Sequence, residues 1–296
     1  MKRALVVVLA LAAVLAVDFA VGPYPAWLNE FRPTKKIGGQ QPAEPFRIAG
    51  NFYYVGASDL AAFLITGPEG HIVLDAGYPT TAPMIMASIA KLGFDIKDVK
   101  VLLNSEPHSD HAGGLAVLQE ASGAEVWASD ASADTIESGG NDPDMILPMR
   151  ALFRVTALSY PPARVAHRFD DGDTIRVGPI ALTAHITAGH TRGCTTWTFP
   201  VRDGDRMLNV VSVCDPGVLE TSWYSEQAAD RERSLRVLRN LPADIWVTNH
   251  ARAWGRYRKF VASRTTKNPV DAFIDPEGYR AYIDRAEAEL REGKVH

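Results

Sequence analysis

Apolar residues gather in short runs broken by glycine, proline and aspartate. Phe52-Tyr53-Tyr54-Val55, Ala62-Phe63-Leu64-Ile65-Thr66 and His71-Ile72-Val73-Leu74-Asp75 read as neighbouring strands, the last stopping at Ala76-Gly77. Ile85, Ile89 and Leu92 then recur at helical spacing and lead to a buried-looking strand, Val99-Lys100-Val101-Leu102-Leu103, after which Leu115 and Leu118 open another helix. The second half repeats this order. It shows strands across residues 163–197 and 207–213, a helix around 226–239, and the strand Asp244-Ile245-Trp246-Val247-Thr248. Asp275-Pro276 caps a last helix with Tyr279, Ile283, Ala286 and Leu290 on one face. Such alternation predicts an α/β fold with sheets inside and helices outside.

The 296 residues are 46% hydrophobic and 22% charged, enough to bury a full core in one large domain. A net charge of −4 gives no reason to expect nucleic acid as a partner. Lys2-Arg3 precedes an apolar run from Ala4 to Val17, with small residues at Ala16 and Ala20 where cleavage is expected. That run falls short of the roughly 20 apolar residues a membrane span needs, so an uncleaved anchor is the weaker alternative. The expected organisation is a signal peptide over residues 1–20, an extended arm rich in Pro, Lys and Gly over 21–45, and a folded domain over 46–296. Export to the periplasm follows, with no stable membrane association once the signal is removed.

Cys194 and Cys214 are the only cysteines, too few for a four-cysteine zinc site or a disulfide scaffold. They flank two strand-like runs joined at Asp203-Gly204-Asp205. If Gly204 centres that hairpin, the two face each other and a cross-strand disulfide can form; a one-residue change of register would leave two buried thiols.

Candidate chemistry concentrates in Glu106-Pro107-His108-Ser109-Asp110-His111, between the strand at 99–103 and Gly113-Gly114. A turn after a strand lets alternate side chains point into one space, so these residues are candidate metal ligands. Two more histidines end apolar strands. His190 lies in Thr187-Ala188-Gly189-His190-Thr191, and Asn249-His250 follows the Trp246-Val247 strand.

Glu106-x-His108-x-Asp110-His111 followed by Ala-Gly-Gly-Leu resembles the His-x-His-x-Asp-His signature of the metallo-β-lactamase superfamily, with Glu106 where the first histidine is usual. The likeness extends through residues 50–56, 73–77, 188–191 and 244–250. Within the superfamily the chain most resembles subclass B3, which has Gly-His-Thr-x-Gly near the middle and no zinc-binding cysteine. The resemblance implies an αββα sandwich of two mixed sheets flanked by helices, with residues 46–296 as the catalytic domain. It also implies two Zn2+ per chain, one held by Glu106, His108 and His190 and the other by Asp110, His111 and His250. The expected substrate is a small β-lactam, opened by a metal-activated water that Asp110 orients.

The resemblance further makes Asp75 a residue that braces a ligand. Sequence position alone makes His185 a candidate neighbour of the ligands, and Trp223 and Tyr224 candidate substrate contacts. His71, His167 and His296 read as structural or solvated. Asp215 stands where subclass B3 enzymes commonly carry serines and related hydrolases carry a bridging aspartate. A bridging Asp215 would favour a lactone or thioester hydrolase; an Asp215 turned away would favour a β-lactamase. Fold and metals alone do not fix the substrate.

Overall fold

Strands β3 (Phe63–Gly67), β4 (Gly70–Leu74) and β5 (Val99–Leu103) explain why this part of the sequence is continuously apolar rather than alternating. Phe63, Ile65, Ile72, Leu74, Val101 and Leu103 enter one core, while Leu64, Val73 and Leu102 enter another on the opposite face. A sheet buried on both faces has no polar side to present. In this computed structural model, residues 39–152, 159–217 and 224–293 are described. The expected signal peptide, most of the arm, Trp223 and His296 lie outside them.

With β1 (Phe46–Ala49), β2 (Phe52–Tyr54), β6 (Glu125–Ser129) and β7 (Val165–Phe169), these strands make a seven-stranded sheet in the order β1-β2-β3-β4-β5-β6-β7. Pairing is antiparallel from β1 to β4 and parallel from β4 to β7. The second sheet, β12-β11-β10-β9-β8, contains β8 (Thr174–Val177), β9 (Ile180–Ile186), β10 (Thr195–Asp203), β11 (Arg206–Val213) and β12 (Ile245–Thr248). Only its β11–β12 pair is parallel.

Between the sheets lies the larger core, where Phe52, Phe63 and Ile72 meet Leu182, Trp197, Phe199 and Val210. The Phe52 ring packs edge-on to Phe199, with centroids 5.1 Å apart. The outer face of the seven-stranded sheet is covered by α1 (Ala82–Lys91), α2 (Leu115–Ser122) and α3 (Asp130–Glu137), through Ile85, Ile89, Leu115, Leu118 and Ile136. A short α4 (Leu147–Leu152) follows. On the five-stranded side, α5 (Gln227–Asn240) contributes Leu235 and Leu238, and α7 (Pro276–Arg291) contributes Tyr279, Tyr282, Ile283 and Ala286. α6 (Arg256–Ser263) lies between them in sequence. Asp275 caps α7 as expected, accepting from Gly278 N at 2.9 Å. Two mixed sheets between helical layers are the αββα arrangement. No helix among the described residues is long and apolar enough to cross a membrane.

Cys194 and Cys214 form a disulfide, but not through the register that would place them opposite each other. Asp203 pairs with Arg206, so the hairpin is centred between Gly204 and Asp205 rather than on Gly204. Continued through the ladder, that register would offset the cysteines by one residue. The bridge forms because Cys194 precedes β10 in a turn, where its N–H donates to Thr191 O at 3.4 Å, and strand geometry no longer dictates the direction of its side chain.

Candidate metal centre

Both sheets end at one edge, and the candidate residues sit in the connections there. After β5 the chain enters a turn anchored at nearly every residue. Trp197 Nε1 donates to Asn104 O at 3.1 Å, Thr195 N to Ser105 O at 2.7 Å, and the Tyr160 hydroxyl to Pro107 O at 2.6 Å. Asp75 holds the turn from the other side, its carboxylate accepting from Ser105 N at 2.6 Å and from Ser105 Oγ at 2.9 Å. Asp75 has φ +65°, the one non-glycine residue with positive φ among those described, so its backbone is strained where its side chain is needed. Gly114 permits the close return of the chain, since a Cβ there would run into the Ala76 carbonyl.

The turn brings Glu106, His108 and His190 into one group and Asp110, His111 and His250 into a second, with the ligand-type atoms of each group within 4.8 Å of one another. In the first, Glu106 Oε2 lies 2.7 Å from His108 Nδ1 and 3.0 Å from His190 Nε2. In the second, Asp110 Oδ2 lies 3.3 Å from His111 Nε2 and 3.9 Å from His250 Nε2. Glu106 also joins the groups, because its Oε1 is 3.3 Å from His111 Nε2.

Each histidine beyond the turn is oriented from behind. His190 Nδ1 lies 2.7 Å from Gly217 O. Its loop is gripped by one face of α5, where Gln227 Nε2 donates to Gly189 O at 2.9 Å and Ser234 Oγ to Ala188 O at 2.7 Å. From the same face Arg231 Nε donates to Pro216 O at 2.9 Å. His111 Nδ1 faces Asp75 Oδ2 at 3.9 Å, and His250 Nδ1 faces Asp59 Oδ2 at 3.7 Å. Asp142, from the loop after α3, reaches within 4.0 Å of His108 Nε2.

Burial disfavours charge throughout the cluster, and the partners decide which way each group moves. For Glu106 the charges of His190, His108 and His111 outweigh burial and hold the carboxyl well below its usual range. Asp110 is likewise held low against burial by His111 and His250. The same attraction lifts His111 to about 10, chiefly through Asp110 and Glu106, and His190 to about 9, chiefly through Glu106. For Asp75 burial prevails and pushes the carboxyl up to about 6, against His111 and the bonds from Ser105. The centre is therefore a buried anionic site that attracts positive charge, supplied by protons on the imidazoles or by metal cations. The nitrogen and oxygen donors suit a borderline metal such as zinc, and Glu106 Oε2, although close to the His108 and His190 rings, is a buried acceptor that makes no hydrogen bond of good geometry.

Three sequence expectations need correction or qualification. His185 does not approach the ligands. Its Nε2 lies 2.8 Å from Thr198 Oγ1, and it lines a separate groove with Thr174 and Thr183, because β9 directs it away from the loop that carries His190. Tyr224 is buried beneath the Arg192 guanidinium, 4.1 Å from its ring centroid, rather than open to a substrate. Asp215 stands outside both groups, its Oδ1 accepting from Gly217 N at 2.9 Å. With Pro216, Gly217, Tyr282 and Arg285 it lines a groove of about 420 Å³ that reaches His190 and His250. His71 and His167 serve structure: His71 packs edge-on to Phe94 and His167 lies against Trp127.

Sequence reasoning missed Asp59, Asp142, Asn249 and the polar face of α5. Gln227, Arg231 and Ser234 do carry a signal, since they recur at helical spacing on a helix that otherwise reads as an outer one.

The family model described as "Metallo-beta-lactamase superfamily" matches residues 56–204. Among solved structures, the Rm3 metallo-beta-lactamase is 38% identical, with a TM-score of 0.79 over 88% of this chain and 97% of its own. The class B3 di-zinc metallo-beta-lactamase LRA-12, from an Alaskan soil metagenome, is 30% identical, with a TM-score of 0.79 over 88% of this chain and 98% of its own. A hydroxyacylglutathione hydrolase of Jannaschia sp. (strain CCS1) is 29% identical over 211 residues, which are 71% of this chain and 69% of that protein. The sequence match and the shared architecture agree: this chain belongs to the metallo-β-lactamase superfamily.

Proposed function

We propose that the protein is a zinc-dependent hydrolase that opens β-lactam rings. The observation that carries this reading is the Asp215 carboxylate: it lies outside both ligand groups, bonded to Gly217 N, rather than between them as a bridging aspartate would. Likeness to Rm3 and to the class B3 enzyme LRA-12 supports the same reading.

Glu106, His108 and His190 would hold one zinc ion, and Asp110, His111 and His250 the other. Bound there, zinc supplies a Lewis acid for the substrate carbonyl and lowers the pKa of water toward neutrality. His190 presents Nε2 to its group because Nδ1 is engaged by Gly217 O. Asp110, less enclosed than Glu106, orients the attacking water through its carboxylate. The groove between the 215–217 segment and α7 receives the substrate. In the overall reaction the lactam C–N bond breaks, the carbonyl carbon gains the water oxygen, and the ring nitrogen takes up a proton. We also propose export to the periplasm, where β-lactams are met, on the strength of Lys2-Arg3 and the apolar run after it.

The hydroxyacylglutathione hydrolase relative favours a second reading, thioester hydrolysis at the same centre. One zinc-loaded preparation tested against a carbapenem, an acyl-homoserine lactone and a glutathione thioester separates the two. Carbapenem turnover as the dominant activity is expected; turnover of the thioester or lactone alone would overturn the β-lactamase reading.

A further inference from the structure

Glu106 raises a requirement that an imidazole in its place would not. A buried carboxylate has two oxygens, and each needs a partner. Oε2 faces the first group, 2.7 Å from His108 Nδ1 and 3.0 Å from His190 Nε2. Oε1 accepts a hydrogen bond from Asn249 Nδ2 at 2.9 Å and is 3.3 Å from His111 Nε2, a nitrogen of the second group. Asn249 is itself buried, and its Oδ1 accepts from Asp215 N at 3.3 Å. Chemistry fixes this amide orientation, since the carboxylate can only accept and the backbone N–H can only donate.

We propose that Asn249 is a positioning residue that ties down Glu106 Oε1 and so commits Oε2 to the group formed with His108 and His190. Without the amide donor, Oε1 faces only the second group, and the two groups compete for one carboxylate. The inference rests on the zinc reading above. It assigns Asn249 a task that arises only because residue 106 is a glutamate.

A double-mutant cycle tests this. Stepwise zinc affinities are measured by competition with a chromophoric chelator for the parent protein, Asn249→Ala, Glu106→His and the double variant, with His108→Ala marking which step is the first group. Asn249→Leu, close to asparagine in shape, repeats the cycle should the alanine variant fold poorly, and thermal unfolding of the metal-free proteins reports on folding. In the Glu106 background, loss of the amide should weaken the first step about 10- to 100-fold. In the Glu106→His background the loss should be less than about threefold, since no second oxygen remains to be held. Equal losses in both backgrounds would mean Asn249 is only structural and would overturn the proposal. A parent protein with no zinc step sensitive to His108→Ala would instead overturn the zinc reading, and the proposal with it.

Discussion

The Nδ1 of His190 lies 2.7 Å from the carbonyl oxygen of Gly217, so the contact that orients this imidazole comes from a segment 27 residues further along the chain. That segment is held in turn by Arg231 at Pro216 O, while Gln227 and Ser234 of the same helix hold the carbonyls before His190. The ring is therefore only as well placed as α5 makes it.

Gln227→Leu and Ser234→Ala are each expected to leave a buried carbonyl without its side-chain donor. Each should lower the unfolding free energy of the metal-free protein by about 1 kcal/mol in urea titrations. Combined, they should weaken the zinc step that depends on His190 and leave the other nearly unchanged. An unaltered first step in the double variant would show that α5 does not position His190.

Asp75 combines a strained backbone with two hydrogen bonds to Ser105, and the two effects can be separated. Asp75→Ala and Asp75→Gly both lose the bonds, at a cost of about 1–3 kcal/mol for each buried group left unpaired. Only glycine relieves the positive φ, so Asp75→Gly should be the more stable by about 1 kcal/mol. Equal stability by chemical denaturation would argue against strain at this position.

The disulfide closes a loop with a sequence separation of 20, which corresponds to about 3 kcal/mol of stabilisation on the chain-entropy account. Urea titration with and without reductant should show a loss of that order in the parent protein. A Cys194→Ala/Cys214→Ala variant should not respond to reductant at all; a parent protein indifferent to reductant would contradict the bridge.

The elements legible in the sequence are those with strong apolar runs or clear caps. β2 to β5, α1, α2, β12 and α7 lie where periodicity puts them, because burial on one or both faces leaves a continuous or periodic apolar mark. β6, α3 and α6 left no such mark. α3 buries only Ala133 and Ile136 among its apolar residues, and α6 buries Arg256 and Lys259 instead of apolar side chains. The six candidate ligands were legible because they cluster in a turn or end apolar strands. Asn249, Asp59 and Asp142 were not, since what matters about them is a contact across sheets or between loops distant in sequence. The cysteine pairing was legible only as one of two alternatives, since the bridge was argued from a register the hairpin does not adopt.

Replacing Glu106 by histidine trades a carboxylate for an imidazole, the donor better matched to zinc, and this match is expected to outweigh the attraction lost with one negative charge. Glu106→His is therefore expected to hold zinc there more tightly and to keep its activity at trace zinc, whereas the Glu106 protein should gain activity as zinc is added. Flat activity and metal content from trace to millimolar zinc in both proteins would rule this out.

Two zinc ions held by these six side chains are proposed to open a β-lactam. The most direct measurement titrates metal-free protein with zinc while following carbapenem turnover, with bound metal determined at each point. Uptake of two equivalents per chain is expected, with turnover that appears with zinc and is abolished by a chelator. No zinc uptake, or carbapenem turnover indifferent to zinc, would contradict it.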